Sequence, residues 1–268
     1  MYAQLATINK DRHATVKVKP TDGFSYAARF HVAAVLAHEF PRAASIYPVV
    51  FLKDEASGRF QPVALLGLEE GQNLFVDDSG RWKASYVPAV IRRYPFALAA
   101  AGDPATFAVC IDEGSPLVGQ EDGLPLFDEQ GQPAAALQNV VKYLSELQQM
   151  DAQTQAFCQF LAEQDLLVPL NMQLQLGQEV KNVQGAFAIN DARLAALPDE
   201  LFIQMRQRGY LPAAYAHLVS LTQVERLLML QGDRRQPAAE PAPASPVAGA
   251  QAAPVPAVKP AKKGGRRR

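Results

Sequence analysis

The 268-residue sequence has only two cysteines, which excludes a disulfide-built scaffold. Cys110 sits in the apolar run Thr106–Ile111 and Cys158 lies between Phe157 and Phe160, so both are expected to be small buried side chains. No apolar run approaches the roughly 18 residues of a membrane-crossing helix. No positively charged start leads into an apolar stretch either, so the sequence predicts no secretory signal and, on that basis, a cytoplasmic location. The sequence also lacks a phosphate-binding loop, because Gly67-Leu68-Glu69-Glu70-Gly71 is too acidic to cradle an anion. His38-Glu39 begins a zinc-protease motif, but Arg42 stands where the second histidine belongs, and Pro41 is expected to break the helix. His31 and His38 would share a helix face yet lie about 10 Å apart along it, too far to hold one metal. His13 and His217 have no nucleophile nearby in sequence, and Ser115, followed by Pro116, does not sit on a nucleophile elbow. The acidic pairs Asp112-Glu113, Glu121-Asp122 and Asp128-Glu129 match no calcium loop and read as solvated turns. The expectation is therefore no metal and no cofactor.

What is present is an uneven charge distribution. The 26 basic and 27 acidic residues give a net charge of −1. Pro237–Arg268 holds six basic residues and one acidic residue, Glu240, which leaves 20 basic against 26 acidic in residues 1–236, or −6. That segment is mostly Pro and Ala, without aromatic residues, Leu or Ile, so it cannot bury enough apolar surface to order itself. It is expected to be a disordered, extended arm. Its tip carries Lys262, Lys263, Arg266, Arg267 and Arg268, suited to weak, salt-sensitive contact with a polyanion; a purely solubilising tail is the alternative. Residues 1–236 are expected to form the globular part, large enough to be stable without metal or disulfide.

Ala14–Lys19 alternates and stops at Pro20, as an exposed strand would. Ile46–Leu52 and Phe60–Leu66 flank Asp54-Glu55-Ala56-Ser57-Gly58 and predict a hairpin, with further Asp-x-x-Gly turns at Asp77–Gly80 and Asp128–Gly131. Phe96–Ala100 and Thr106–Ile111 predict a second strand pair around Gly102-Asp103-Pro104, and one short helix fits between Val32 and Phe40. After Pro133, Leu137, Val140, Val141, Leu144 and Leu147 form a helical stripe that Phe157, Phe160 and Leu161 resume, as one helix or as two that break near Asp151. Leu170–Leu176, Phe187 and Ile189 return to strand alternation. Helices over 198–208, 212–220 and 222–230 close the globular part. The fold class is α+β with a mainly antiparallel sheet.

The stretch Arg81–Phe96 is the most informative, because it gathers the one Trp, two Tyr, two Pro and four basic residues. Its candidate binding residues are Arg81, Trp82, Tyr86, Arg92, Arg93 and Tyr94. Arginine can stack on aromatic rings or clamp carboxylates, so these residues can line a groove; otherwise the rings pack inward and the arginines pair with nearby acids. Nucleic-acid recognition by the globular part is not expected from its acidic balance.

Tyr86-Val87-Pro88 followed by Arg92-Arg93-Tyr94-Pro95-Phe96 resembles the bacterial SapC family of surface-layer-associated proteins. Phe40-Pro41-Arg42-Ala43 leading into Tyr47-Pro48-Val49-Val50-Phe51, Gly67–Phe75 and Leu197-Pro198-Asp199-Glu200 resemble that family too, so the likeness covers roughly residues 1–231. The resemblance implies a link to a protective surface layer, with surface-layer or export components as partners and the cell surface as a second location. It implies no reaction and carries over no catalytic residues. A binding or assembly factor is the leading expectation. The alternative is an enzyme, or an enzyme's accessory, with a site assembled from His31, His38, Glu39, Arg92 and Arg93.

Overall fold

The computed structural model describes residues 2–101, 103–176 and 179–235, and the elements below all fall within one compact unit, Met1–Arg235. The expected arm at 237–268 and the turn residue Gly102 lie outside the described residues. In chain order the strands are β1 (Leu5–Thr7), β2 (Lys17–Val18), β3 (Val32–Ala34), β4 (Val49–Lys53), β5 (Phe60–Leu65), β6 (Phe96–Ala101), β7 (Asp103–Asp112), β8 (Val118–Gly119), β9 (Leu124–Pro125), β10 (Leu167–Leu176) and β11 (Glu179–Ile189). The helices are α1 (Lys10–His13), α2 (Phe40–Ala43), α3 (Ala89–Arg92), α4 (Ala135–Glu163), α5 (Asp191–Ala195), α6 (Asp199–Gln207), α7 (Tyr210–Ser220) and α8 (Val224–Arg235).

All strand pairs are antiparallel. They form a five-stranded sheet ordered β10-β11-β4-β5-β3 and two three-stranded sheets, β1-β7-β6 and β8-β2-β9. The α+β architecture is as the strand and helix periods indicate. The β4–β5 hairpin turns where Asp54 accepts the Ser57 amide and hydroxyl, with Gly58 at φ 68°. Along β4, Val49 and Phe51 enter the main core while Val50 and Leu52 pack on the opposite face, the period-two alternation of a strand.

Helix α4 runs unbroken through Asp151 for 29 residues. Its first half, through Leu137 and Leu144, seals a core made with Phe96, Ile111, Leu126 and Phe127. Its second half, through Phe157, Phe160 and Leu161, enters the main core beside α7 and the large sheet. Two cores on one rod explain why the apolar stripe fades in the middle without the helix ending. Cys110 and Cys158 are both buried and free, as their apolar neighbours predict.

Three expectations need correction. Val32–Phe40 is not one helix: β3 is followed by a 3₁₀ turn over Ala37–Glu39, and α2 begins at Phe40. Pairing of Val32, Ala33 and Ala34 with Leu65, Ala64 and Val63 outweighs the helix preference of Ala, Leu and Glu. Pro41 stands in the first turn of α2, where a missing N–H costs nothing, so it helps begin a helix and does not break one. The expected strand Ala14–Lys19 shrinks to Lys17–Val18, which is the middle strand of a small sheet and not an exposed edge.

Candidate binding site

The site is organised by a buried carboxylate. Glu39, 6% exposed, accepts hydrogen bonds from the Tyr86 hydroxyl (2.6 Å) and the Ala89 amide (2.8 Å) at Oε1, and from the Leu36 amide (2.8 Å) at Oε2. Those bonds tie the 3₁₀ turn after β3 to Tyr86 and to the start of α3. Burial first, then the Glu39 bond and charge, push the Tyr86 hydroxyl up to about 12, so it stays a donor to the carboxylate.

The six residues grouped from the sequence divide into two kinds. Trp82 and Tyr94 are buried. Trp82 Nε1 donates to the Tyr47 hydroxyl (2.9 Å) and the Tyr86 carbonyl (3.1 Å), and Tyr47 also donates to that carbonyl. Tyr94 stacks on Tyr26, ring centroids 4.2 Å apart, and donates to Asp112 (3.1 Å). Arg81 is exposed and paired with Asp77 at 3.4 Å. The exposed Arg92 donates from Nε to the Val87 carbonyl (2.8 Å), and its guanidinium lies over the rings of Tyr86 (5.5 Å) and Tyr143 (5.9 Å). Arg42, also exposed, reaches the Tyr86 ring at 6.0 Å. Arg93 turns the other way, into a cavity.

That cavity, about 220 Å³, lies between β3 and β6, each an edge strand of its sheet, with α3 and α4 closing it. Ala34, Leu36, Val90, Leu98, Phe107 and Leu147 give it apolar walls, and Glu39, Gln61, Arg93, Gln148 and Asp151 supply its polar groups. Arg93 Nε and the Tyr143 hydroxyl are buried there or close by, with no hydrogen-bond partner among the described residues. Burial raises the Tyr2 pKa, and the Arg93 guanidinium bonded to its hydroxyl works against that shift. Asp151 stands at the mouth, partly open to solvent. The protein packed around its carboxyl raises its pKa, with the charges of Arg93 and Arg59 opposing.

The remaining candidates are dispersed. His38 is exposed beside a separate cavity formed with Arg208 and Tyr210, while its neighbour Glu39 points inward. His31 lies on a third concavity with Arg29 and Glu70. His13 and His217 are fully buried, in different parts of the fold. Among the described residues, no three of His, Cys, Asp or Glu converge to hold a metal ion. The structure thus brings Glu39, Arg92 and Arg93 into one neighbourhood and leaves His31 and His38 outside it. Tyr143, Asp151 and Arg42 were not among the site residues expected from the sequence, although Arg42 lies in a family-like stretch and Asp151 marked a possible break in the helix. Asp151 did carry a signal, as a charged residue on the α4 stripe four positions after Leu147.

The sequence model of the SapC family matches residues 8–227. The chain belongs to the SapC family. No curated protein and no solved structure matches it. The stretches by which it resembles SapC proteins carry much of this geometry. Gly67–Phe75 is a tight loop in which a Cβ on Gly67 would sit 2.0 Å from the Gln72 carbonyl oxygen. Asn73, fully buried, donates to the Ala27 carbonyl (2.9 Å) and accepts the Phe75 amide (2.9 Å). Pro88 starts α3, and Tyr94–Pro95 is a cis peptide at the start of β6. Pro198 precedes α6, whose first turn bears Asp199 and Glu200, favourably placed at the positive end of the helix. In this SapC chain, then, the stretch Tyr86–Phe96 both builds the scaffold and presents Arg92 outward.

Proposed function

We propose that this SapC-family protein is a non-enzymatic binding or assembly factor of the bacterial surface layer, and that Arg81–Phe96 supplies its partner contact. The observation that carries the contact is the Arg92 guanidinium over the Tyr86 and Tyr143 rings, with Arg42 on the same Tyr86 ring. An exposed, ring-backed cation pair on a net-acidic body offers planar donors to carboxylates while the stacking limits how much side-chain freedom is lost on binding. Arg81 flanks it, and Trp82, Arg93 and Tyr94 hold the segment from beneath. The surface-layer setting is what membership of the family implies. In the same reading residues 1–236 are the globular part, and 237–268 is an arm whose Lys262, Lys263, Arg266, Arg267 and Arg268 add a second, weaker contact to an anionic polymer. An enzymatic role has less support, since His31 and His38 stand away from Glu39, Arg92 and Arg93.

The test is retention of the purified full chain on envelopes isolated from the native cell, followed by sedimentation at two salt concentrations. Replacing Arg42 and Arg92 together by Ala should weaken retention about tenfold, the loss of two ring-backed cations. Retention equal to that of the unaltered chain would overturn the contact. Neutralising Arg266, Arg267 and Arg268 to Gln should remove the salt-sensitive share of retention, and an unchanged salt dependence would remove the arm from the reading.

A further inference from the structure

The cavity behind α3 asks for a ligand of its own. A closed hydrophobic seam between two cores needs no arginine, yet Arg93 places a guanidinium there with Nε buried and unpartnered. A buried donor left unsatisfied is costly, and a built pocket offers it to something. Across the same cavity stands Asp151. Arg93 is close enough for its charge to act on the Asp151 carboxyl, but no ion pair joins the two among the described residues. The pocket therefore keeps one cation and one carboxylate apart, with space between them.

Glu39 does not compete for that space. Both of its oxygens are engaged by Tyr86, Ala89 and Leu36, so it acts as fixed negative potential on the pocket wall. Gln61 and Gln148 add amides that both donate and accept. Leu36, Val90, Leu98 and Leu147 make the rest of the wall apolar. The volume, about 220 Å³, falls below the roughly 300 Å³ at which drug-sized pockets begin. A small molecule with an anionic end, a cationic end and a short aliphatic group matches charge, polarity and volume together.

We propose that this cavity binds a free α-amino acid with a branched aliphatic side chain, its carboxylate on Arg93, its ammonium on Asp151 and its side chain against Leu98 and Leu147. Arg93 suits the carboxylate because its fork gives two parallel donors, one of which, Nε, is already free. Asp151 at the mouth suits the ammonium, which stays partly hydrated there. The inference does not rest on the surface-contact reading, since it uses neither Arg42 nor Arg92.

The experiment is calorimetric titration of the full chain with L-leucine and with two truncated analogues, 4-methylpentanoate and isopentylamine. L-leucine should bind saturably, and each analogue, lacking one charged end, should bind about tenfold or more weakly. Arg93→Met and Asp151→Asn should each weaken L-leucine by a similar factor. Arg93 also touches Tyr2 and its substitution could unfold the chain. Asp151, at the solvent-facing mouth, supplies the second variant, with thermal melts of both variants compared with the parent. No saturable L-leucine binding by the folded parent overturns the proposal, as do analogues that bind as well as L-leucine. A folded Asp151→Asn variant with unchanged affinity overturns the ammonium assignment and with it the ligand class. Because the titration contains no envelope, a negative result leaves the retention experiment standing, and the reverse also holds.

Discussion

His217 should make the stability of this protein fall as the pH drops through the range in which an ordinary histidine charges. The ring lies fully buried in α7, its centroid 5.0 Å from that of Phe51, and Nε2 accepts the Ile189 amide at 3.0 Å. An acceptor nitrogen carries no hydrogen, so the neutral ring bears its proton on Nδ1. Charging it would put a proton on Nε2, facing another donor, inside an apolar core. Burial accordingly lowers its pKa from 6.5 to about 4, with the Val49 carbonyl opposing. The sign follows: between those values the unfolded chain binds a proton that the folded chain refuses, so stability is present above pH 6.5 and is lost as pH falls towards 4. Integrating one such group gives a loss of about 1.8 kcal/mol between pH 7 and pH 5, with a slope approaching about 1.4 kcal/mol per pH unit. The assay is urea denaturation of the parent and of His217→Leu at both pH values. The variant should be less stable at pH 7 by about 1–3 kcal/mol, because the Ile189 amide loses its acceptor. It should also lose about 1.8 kcal/mol less than the parent on acidification. Equal losses in the two proteins would refute the reasoning.

Two further outcomes are expected. Glu39→Ala leaves the Tyr86 hydroxyl and the Leu36 and Ala89 amides without their acceptor, and should lower stability by about 3 kcal/mol or more in chemical denaturation; a change below about 1 kcal/mol would show that water replaces the carboxylate. Gly67→Ala forces a methyl against the Gln72 carbonyl and should cost about 1–3 kcal/mol, whereas Ala at Gly232, where a Cβ meets nothing within 4 Å, should not destabilise the chain by overpacking; equal melting temperatures for the two variants would contradict the close approach.

The parts of the fold legible in the sequence are those set by local chemistry. The Asp54–Gly58 turn between two apolar runs gives the β4–β5 hairpin, and the Leu137–Leu147 stripe gives the first half of α4. Val32–Phe40 was illegible because its residue types favour a helix while its environment, the open edge of β5, rewards a strand. The same division holds at the site. Composition marked Arg81–Phe96, but six residues in one run cannot disclose which face inward. Trp82 and Tyr94 go under because Tyr47, Tyr26 and Asp112 wait there, from segments distant in sequence. Arg92 and Arg93, adjacent in the chain, part because α3 ends between them: one side chain turns out over Tyr86 and the other into the cavity.

Why the cavity lies where it does follows from α4. A helix serving two separate cores must cross the seam between them, and there it faces a partly open cavity in place of a packed core. The stripe Leu137, Val140, Leu144, Leu147 continues as Asp151, Thr154, Cys158 and Leu161, so its two polar positions fall at the crossing. Thr154, buried, settles its place by accepting the Ala37 amide (2.9 Å) and donating to the Met150 carbonyl (2.8 Å). Asp151 has no such bond to the 3₁₀ turn; it takes a side-chain bond from Gln155 one turn on and faces the cavity. An apolar residue at 151 would face the cavity's apolar wall, but position 151 is exposed, so its gain falls well short of the roughly 1.5–3 kcal/mol of full aliphatic burial. Retaining a carboxylate opposite an arginine whose Nε has no partner makes sense where the seam holds something charged at both ends. Asp151→Leu should therefore change the melting temperature little while abolishing L-leucine binding, and a variant that lost stability instead would mean the carboxylate serves the fold.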